Sequence, residues 1–332
     1  MRYLVTGGAG FIGSNLVSQL LEDGHEVSIL DNLSRPRGGS RINLEMLLDR
    51  YEPHFYLVSI EDRDRLLSLV KEISPDIIIH CAAQTSLRRY LDKPYDDFRS
   101  NTLGTLNLLE AADLIDAYFV FLSTNKVYGS LGTIPVVETP TRYDFKYISG
   151  ISENQLVDPH LDPYSLSKAA ADSYCRLRNK KTLVLRLSSI YGPYQWSIPG
   201  QGWIGIFTLD VLRGKEIMVA GNGKQVRDIL HVSDLVRFIK AAIDREATGV
   251  FNIGGGEANS LSILELFELL QTLDLPDPKV SYTGWNSWTQ KIYVSDILKA
   301  DKEVGWNPEM EKMEGIERYL RHWLQEVVLP QD

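Results

Sequence analysis

Cysteine is scarce in this sequence, which contains Cys81 and Cys175 and no others among 332 residues. Two cysteines provide no disulfide framework, and their low number indicates a reducing compartment. The six histidines show no spacing typical of metal ligands, so we expect no metal site. The Gly-x-Ser-x-Gly pattern of many serine hydrolases is also missing, which argues against that class of enzyme.

Long hydrophobic runs and an excess of positive charge are lacking as well. No apolar run approaches the roughly 20 residues of a membrane span, and Met1–Val5 shows no signal-peptide pattern. We therefore expect a cytoplasmic protein with no membrane partner. The formal net charge of −9 argues against nucleic acid as a partner.

Short apolar runs alternate with helical patterns through the first half of the chain. The runs are Tyr3–Thr6, Glu26–Leu30, Phe55–Ser59, Asp76–His80, Tyr118–Ser123 and Thr182–Leu187. Such runs, separated by helices, predict parallel strands buried on both faces of a sheet. We therefore expect an α/β protein with a doubly wound, parallel-sheet Rossmann domain over 1–187, to which 227–253 returns. Residues 188–332, with a Gly-, Pro- and Trp-rich loop at 192–203, should form a smaller α/β substrate-binding lobe.

Three glycines lie between the first predicted strand and the first predicted helix. Gly7, Gly10 and Gly13 are spaced Gly-x-x-Gly-x-x-Gly, with Phe11 and Ile12 between the last two. Glycines at such a turn let the backbone bend sharply and approach a pyrophosphate at the helix N-terminus. The pattern therefore predicts a dinucleotide-binding site.

A carboxylate, Asp31, ends the second predicted strand. At this place it would accept hydrogen bonds from the adenosine ribose and repel a 2′-phosphate, which favours NAD over NADP. Arg35 and Arg37 keep NADP open as an alternative, and Asp31 could instead cap a loop or helix. The small residues Ala82 and Ala83, after the fourth predicted strand, would let that loop approach the cofactor.

Tyr164 and Lys168 are four residues apart, so on a helix they share one face. A free tyrosine, with a pKa of about 10, is a poor base at neutral pH. An adjacent ammonium stabilises the phenolate and lowers that pKa, which would let Tyr164 take a hydroxyl proton. Thr124, at the end of the fifth predicted strand, is expected to bridge the substrate oxygen and Tyr164. A surface pair on the helix and a turn cap at Thr124 remain the alternatives.

These residues together resemble the extended short-chain dehydrogenase/reductase family, the NAD-dependent epimerases and dehydratases. The resemblance covers nearly the whole chain and includes the glycine loop, Asp31, Val127-Tyr128-Gly129, the Tyr164/Lys168 pair and Arg227-Asp228. It implies NAD as cofactor, a nucleotide sugar as substrate, and chemistry carried by Thr124, Tyr164 and Lys168. Tyr164 and Lys168 would also contact the cofactor, and further implied cofactor contacts are Asn32, Ser59, Ile60 and Asn101.

Arg227 would contact the diphosphate of the sugar nucleotide in a member of this family. A planar guanidinium can hold a phosphate with two hydrogen bonds. An ion pair with Asp228 or Asp234 is the alternative. The residues expected to bind substrate are Thr124, Asn125, Lys126, Ser189, Gln201, Trp203 and Arg227.

Within the family the chain resembles most the 2-epimerases of CDP-linked sugars, in the stretches 123–129, 150–153, 188–192 and 201–205. Sugar-nucleotide 4,6-dehydratases carry Asp-Glu where this chain has Asn125 and Lys126, and Asn cannot act as an acid at neutral pH. We therefore expect an NAD-dependent nucleotide-sugar epimerase that works through a keto-sugar. A UDP-sugar 4-epimerase, a reductase and a non-catalytic dinucleotide sensor remain alternatives.

Two further expectations follow from the resemblance. Asn286 and Thr289 stand where the family commonly has Arg and Asp, so one cationic contact to the nucleotide is missing or supplied elsewhere. The family associates through two helices of the Rossmann domain, which implies a homodimer or homotetramer here. The patterns near Thr102–Leu114 and Ser165–Arg178 would supply them, with Leu103, Leu106, Leu109 and Leu114 as an apolar face, although core burial would explain the same leucines.

Overall fold

A computed structural model describes residues 1–34, 39–85, 93–158, 162–178, 181–197, 202–285 and 289–325. Its strands are β1 (Arg2–Thr6), β2 (Glu26–Asp31), β3 (His54–Leu57), β4 (Ile77–His80), β5 (Tyr118–Thr124), β6 (Val136–Glu138), β7 (Tyr143–Phe145), β8 (Thr182–Leu187), β9 (Ser189–Tyr191), β10 (Glu216–Ala220), β11 (Val226–His231), β12 (Gly249–Ile253), β13 (Ser260–Ser262), β14 (Lys279–Thr283) and β15 (Ile292–Tyr293). Its helices are α1 (Phe11–Glu22), α2 (Gly39–Arg50), α3 (Arg63–Ile73), α4 (Pro94–Asp97), α5 (Gly104–Ile115), α6 (Pro163–Leu177), α7 (Trp203–Leu212), α8 (Val232–Asp244), α9 (Ile263–Thr272), α10 (Leu298–Val304) and α11 (Lys312–Gln325). A π-helical segment, Phe98–Leu103, leads into α5, and a 3₁₀ turn, Asn125–Tyr128, follows β5.

A seven-stranded parallel sheet forms the centre of the molecule, in the order β12-β8-β5-β4-β1-β2-β3. Successive residues of β1 point to opposite faces: Leu4 packs in the cluster with α3, α5 and α6, and Val5 in the cluster with α1 and α8. Both faces are therefore buried under helices, as the continuous apolar runs predict. The doubly wound Rossmann fold is confirmed.

The strand order reverses between β1 and β4, because the chain leaves β1 towards β2 and β3 and then crosses to β4. In open parallel sheets of this kind, ligands bind outside the carboxyl ends of the strands at such a reversal. Thr6, Asp31, His80 and Thr124 end β1, β2, β4 and β5, so they lie along this edge. The carboxyl edge of the sheet is accordingly where a functional site is expected.

The last strand of the central sheet comes from late in the sequence. Strand β12 pairs with β8, and α8 packs against α1 through buried residues such as Leu235 and Ile239. Strand β11 instead joins a second sheet, where it pairs with β9, β13 and β15. The segment 227–253 thus divides between the two sheets, and the boundary at 187 stays a prediction.

A smaller core lies beyond the central sheet. It combines Tyr191 of β9 with apolar residues of α7, α9 and α11, including Ile204, Phe267 and Tyr319. The parallel pair β10–β14 flanks it. Over the ranges that the structure describes, no helix has both the length and the apolar composition needed to cross a bilayer.

Apolar side chains remain exposed on the neighbouring helices α5 and α6. Leu114 on α5 and Leu166, Tyr174 and Leu177 on α6 are at least 45% exposed. Leu109, expected on this face, instead belongs to the core between α5 and the sheet. An exposed patch of this kind on a compact protein is typical of an association surface.

We predict that the protein associates through this face of α5 and α6. The wild type should have at least twice the single-chain mass of 37.6 kDa in light scattering at micromolar concentration. Leu166→Asp or Leu177→Asp should reduce the mass towards that of one chain, because each places a charge where an apolar contact forms. Leu298→Asp, which changes a 50% exposed leucine on α10, should leave the mass unchanged. A monomeric wild type would contradict the prediction.

Candidate active site

The glycine loop joins β1 to α1 at the carboxyl edge of the sheet. Gly7 has a left-handed φ of +65°, and a Cβ there would lie 2.6 Å from the backbone nitrogen of Ala82. A Cβ on Gly13 would collide with the backbone of Gly7. Close packing therefore requires both glycines: Gly7 where the loop meets the segment after β4, and Gly13 where α1 meets the loop.

Gly10 has a different role in the loop. It precedes the first residue of α1, and no described side chain caps the helix there. A Cβ on Gly10 would approach only the Gly7 carbonyl oxygen, at 3.0 Å, among the described atoms. The first N–H groups of α1, beginning with those of Phe11 and Ile12, therefore have no side-chain cap. Such an uncapped helix N-terminus suits a pyrophosphate. The loop fits a bound dinucleotide.

Asp31, at the end of β2, holds the glycine loop in place. Its Oδ2 accepts a hydrogen bond from the backbone N–H of Ala9 at 3.2 Å, and its Oδ1 accepts one from Leu33 at 2.8 Å. A carboxylate offers about four acceptor sites, so these contacts still allow it to accept from ribose hydroxyls. Asn32 next to it is exposed. Arg35 and Arg37, which kept NADP open, lie outside the described residues.

The loop after β4, with Ala82 and Ala83, is fixed by Asn101. The Asn101 amide accepts from the backbone N–H of Gln84 at 2.8 Å, and it donates to the Gln84 carbonyl and to Ser167 Oγ, each at 3.0 Å. Both amide hydrogens are therefore used within the protein. Asn101 positions the loop against α6, and its direct contact with a cofactor stays a prediction.

Ser59 and Ile60 follow β3 and pack against α5. Ser59 Oγ accepts from the backbone N–H of Glu61 at 3.3 Å, and the Ile60 carbonyl accepts from Asn107 Nδ2 at 2.9 Å. A Cβ on Gly104 would lie 2.5 Å from Ile60 Cδ1, so a larger residue there would force the Ile60 side chain to shift. The segment is held firmly at the end of the sheet, where the cofactor contact is expected.

Tyr164 and Lys168 lie one turn apart at the start of α6. The helix begins at Pro163 because Asp162 caps it: the carboxylate accepts from the backbone N–H of Ser165 at 2.7 Å, and Ser165 Oγ accepts from the N–H of Asp162 at 3.1 Å. This reciprocal cap, followed by proline, is a strong helix start. It places Tyr164 in the first turn, half-buried, and Lys168 one turn deeper at 3% exposure.

The Lys168 ammonium is buried against β5. Nζ donates to the Leu122 carbonyl at 2.6 Å and lies 4.1 Å from the centre of the Phe121 ring. Burial lowers the pKa of Lys168 to about 8, which nearby Asp172 partly opposes. Because an ammonium has three donors, hydrogen-bonding capacity beyond the Leu122 contact is available for a ligand.

A buried ion pair holds α6 against the sheet behind Lys168. Asp172 is fully buried and accepts two hydrogen bonds from Arg186 of β8, each at 3.0 Å, and one from Ser123 Oγ at 2.8 Å. Ser123 directly precedes Thr124, so this network fixes the strand that carries Thr124 relative to the helix that carries Lys168. Sequence analysis missed Asp172 and Arg186, because a single Asp and a single Arg form no motif.

Thr124 ends β5 and caps the 3₁₀ turn that follows. Its Oγ1 accepts from the backbone N–H of Lys126 at 3.3 Å. The capping role considered as the alternative is therefore present. The hydroxyl oxygen keeps a second lone pair, and its hydrogen makes only a long contact of 3.4 Å with Asn125 Oδ1, so Thr124 can still contact a substrate oxygen. The side chain next to it, Asn125, is buried.

Arg227 and Lys126 approach one another through Gln290. Arg227 Nη2 donates to the Gln290 carbonyl at 2.8 Å, and Lys126 Nζ lies 3.5 Å from Gln290 Oε1. Gln290 is fully buried, and its amide donates to the Gly129 carbonyl at 2.6 Å. Burial lowers the pKa of Lys126 to about 7 and that of Arg227 to about 10, and the charge of Arg227 adds to the effect on Lys126.

The carboxylates considered as ion-pair partners of Arg227 are engaged elsewhere. Asp228 accepts from Ser188 and from the backbone N–H groups of Gly256 and Ser295. Asp234 accepts from Arg237 at 2.8 Å. In the described part of the chain, the guanidinium of Arg227 bonds backbone carbonyls instead.

Among the other substrate candidates, Trp203 and Ser189 are brought together. The Trp203 indole donates to Ser189 Oγ at 3.1 Å. Gln201 lies outside the described residues, as do Asn286 and Trp288. Trp285 covers Gly221, whose Cβ would lie 2.8 Å from the indole. The described ranges contain no group of three or more His, Cys, Asp or Glu arranged to hold a metal ion.

Two asparagines tie the loop after β9 to the glycine-loop side of the molecule. Asn15 of α1 donates to the Pro193 carbonyl at 2.9 Å. Asn43 of α2 donates to the carbonyls of Ala9 and Tyr194 and accepts from the Trp196 indole at 2.8 Å. Trp196 therefore helps to hold this loop against α2. No sequence pattern marked Asn15 or Asn43, since their partners are 178 and up to 153 residues away.

Comparisons with known proteins bear on the family and the fold. The sequence model of the NAD dependent epimerase/dehydratase family matches residues 3–254. The chain is 36% identical to CDP-paratose 2-epimerase of Salmonella typhi, over 96% of this chain and 98% of that protein.

Solved structures of epimerases have the same fold as this chain. UDP-glucose 4-epimerase of Thermotoga maritima, crystallised with UDP-glucose, superposes with a TM-score of 0.84 at 31% identity, covering 98% of this chain and 99% of that one. UDP-glucuronic acid 4-epimerase of Bacillus cereus, in complex with UDP-glucuronic acid and NAD, has a TM-score of 0.84 at 26% identity, covering 98% and 100%.

We predict that Asp31 sets the preference for NAD over NADP. In calorimetry the wild type should bind NAD more tightly than NADP. Asp31→Asn keeps an acceptor for the Ala9 N–H but removes the negative charge. The difference between the binding free energies of NAD and NADP should therefore shrink by about 1–2 kcal/mol. Asp64→Asn, which changes an exposed carboxylate at the start of α3, is the matched control. Tighter binding of NADP by the wild type would contradict the prediction.

Proposed function

Because the chain belongs to the NAD-dependent epimerase/dehydratase family, we propose that it is a nucleotide-sugar epimerase that inverts a hydroxyl-bearing carbon through a keto-sugar. The cofactor of this enzyme is NAD. The observation that carries the proposal is the arrangement of Thr124 at the end of β5 with Tyr164 and buried Lys168 on α6. A non-catalytic dinucleotide sensor would have no use for this set.

Each residue of the set has a defined task. Tyr164 takes the proton of the sugar hydroxyl, and Thr124 holds the same oxygen by a hydrogen bond. The ammonium of Lys168 stabilises the phenolate form of Tyr164, because a nearby positive charge favours the anion. The hydride acceptor and donor for the sugar carbon would be supplied by NAD when it is bound. Tyr164 then gives the proton back to the ketone oxygen, which completes the inversion once the keto-sugar has turned over.

The residues after Thr124 favour epimerisation over dehydration. Loss of water requires a group that protonates the leaving hydroxyl and one that removes a proton from carbon. Asn125 has an amide without acid chemistry at neutral pH, and Lys126 is a cation next to Arg227. Neither offers the carboxyl pair of a dehydratase, so the keto-sugar is reduced again.

We propose a CDP-sugar as substrate, with inversion at carbon 2 as in CDP-paratose 2-epimerase. The support is the 36% identity with the Salmonella typhi enzyme over nearly the whole of both chains, together with the Asn125-Lys126 pair. A UDP-sugar 4-epimerase is the second candidate, favoured by the structural likeness to the Thermotoga maritima enzyme. Thr124, Tyr164 and Lys168 serve either chemistry.

We predict that Tyr164→Phe loses most epimerase activity, because Phe cannot carry a proton to or from the hydroxyl. Thr124→Ser, which keeps the hydroxyl, should retain far more activity than Thr124→Ala. The assay incubates a CDP-2-hydroxy-deoxysugar with the enzyme in heavy water and analyses the product by NMR.

Direct return of the hydride leaves no solvent deuterium on the inverted carbon and consumes no added NAD. Deuterium at that carbon would indicate enolisation, and free NADH formed in proportion to product would indicate a simple dehydrogenase. Either result would overturn epimerisation by hydride return, and an unchanged rate in Tyr164→Phe would remove Tyr164 from the mechanism.

We also predict that Arg227→Ala weakens binding of the sugar nucleotide by about 2–4 kcal/mol, the cost of losing one partner of a desolvated charged contact. NAD affinity, measured by calorimetry in parallel, should hardly change. Arg213→Ala, at the exposed end of α7 in the same lobe, is the control. Equal losses of both affinities would point to a role of Arg227 in folding.

A further inference from the structure

Lys126, two residues after Thr124, and Arg227 are two cations that contact Gln290, and in the described part of the chain no carboxylate bonds either of them directly. In the described part of the chain neither makes an ion pair, and both turn to the neutral Gln290: Lys126 Nζ at 3.5 Å from its side-chain oxygen, Arg227 Nη2 at 2.8 Å from its carbonyl oxygen. Asp162, at the cap of α6, acts on Lys126 only through its charge at longer range, and Asp228 acts on Arg227 in the same way. The pair is therefore an excess of positive charge in a half-buried place.

Such an arrangement is unfavourable without a ligand. Burial disfavours each charge, and each charge disfavours the other. Gln290 holds them close nonetheless, because it is fully buried and anchored to the Gly129 carbonyl at 2.6 Å. An anion with two separate charged groups would relieve both costs at once, and a diphosphate is an anion of that kind.

The position of Lys126 distinguishes it from Arg227. Lys126 is two residues after Thr124, and its backbone N–H donates to Thr124 Oγ1 at 3.3 Å. Arg227 lies on strand β11 and contacts the main-chain carbonyl of Gln290, whereas Lys126 contacts its side-chain oxygen. The Lys126 ammonium is therefore within one lysine side-chain length of the turn that Thr124 caps, so a ligand group bound to it lies in the neighbourhood of the sugar oxygen at Thr124.

We propose that Lys126 binds the phosphate attached to the sugar, and that this contact selects carbon 2 as the reacting carbon. The inference rests on the proposed function. Carbon 2 is bonded to carbon 1, which carries the phosphate. If the carbon-2 hydroxyl binds at Thr124, the phosphate is therefore close enough to bind at Lys126. Carbon 4 lies across the ring from carbon 1, so its hydroxyl and the phosphate would be too far apart for both contacts. Arg227 then takes the nucleoside-side phosphate.

Binding of nucleotides without a sugar tests the phosphate contact independently of activity. Calorimetry of the NAD-loaded protein compares CDP with CMP, which lacks the second phosphate, and UDP with UMP in parallel. Lys126→Met should lower the affinity for the diphosphate about 10- to 100-fold, the range for one charged hydrogen bond. The affinity for the monophosphate should stay within about twofold, since Lys126 does not reach the first phosphate.

Two further variants control this measurement. Lys291→Met removes the same charge from an exposed lysine adjacent to Gln290 and should leave all affinities unchanged. Lys126→Arg keeps the positive charge and should recover most of the loss for the diphosphate. Equal losses of CMP and CDP in Lys126→Met, or no loss of CDP, would overturn the assignment of Lys126 to the sugar-side phosphate.

The pH dependence provides a signature that a structural role would not produce. The Lys126 pKa of about 7 reflects burial and the charge of Arg227, opposed by Asp162. CDP-glucose suits this test because its diphosphate does not titrate near neutral pH. Wild-type affinity for it should fall as pH rises from 6 to 9, because the ammonium is lost, and Lys126→Met should show a flat profile. A slope that persists in Lys126→Met would overturn the contact.

Kinetics test the choice of carbon. If the wild type inverts carbon 2 of a CDP-sugar, Lys126→Met should raise KM about 10- to 100-fold with a smaller change in kcat. An unchanged KM would overturn the inference while the proposed function stands. If the wild type inverts carbon 4 of a UDP-sugar and not carbon 2, the proposed carbon fails and so does the selection by Lys126. The comparison of CDP with CMP still decides the phosphate contact.

Discussion

A lysine ammonium buried against the central sheet is the constraint on which the site depends. Lys168 can lie there because Nζ donates to the Leu122 carbonyl and faces the Phe121 ring, and because Asp172, paired with Arg186, presses α6 onto β5 and β8. Burying that charge costs free energy, which the negative charge of nearby Asp172 and the strong cap at the start of α6 partly offset. In return, the first turn of α6 presents Tyr164 at the carboxyl edge of the sheet.

Positive charge collects at this edge of an otherwise acidic protein. The chain carries a formal net charge of −9, yet Lys168, Lys126 and Arg227 are all held where burial works against their charge. Unbalanced buried charge is destabilising unless a ligand meets it. A nucleotide sugar, the proposed substrate, carries two phosphates, so the local positive charge fits the proposal.

The cofactor side and the substrate side are built as one unit. Helix α8 and strand β12 return to the central sheet from the far half of the sequence, while β11, one element earlier, carries Arg227 in the second sheet. Asn15 and Asn43 bond the loop at Pro193 and Tyr194 to α1, α2 and the glycine loop. The proposed epimerisation would benefit from such a connected frame, since it uses the same bound cofactor in both of its steps.

The sequence by itself determined the central sheet, the glycine loop and the Tyr164/Lys168 helix. Apolar runs, glycine spacing and a four-residue interval are local patterns, and each follows directly from the geometry of strands, turns and helices. Only the tertiary structure decided which charges meet. Asp172 reaches Arg186 across 14 residues, Lys126 reaches Gln290 across 164, and Asn43 reaches Trp196 across 153. Leu109 fits the pattern of an exposed helix face, but it is buried because α5 packs on the sheet at that turn. Periodicity shows which residues share a face of an element, and only the packing of the folded chain decides what that face contacts.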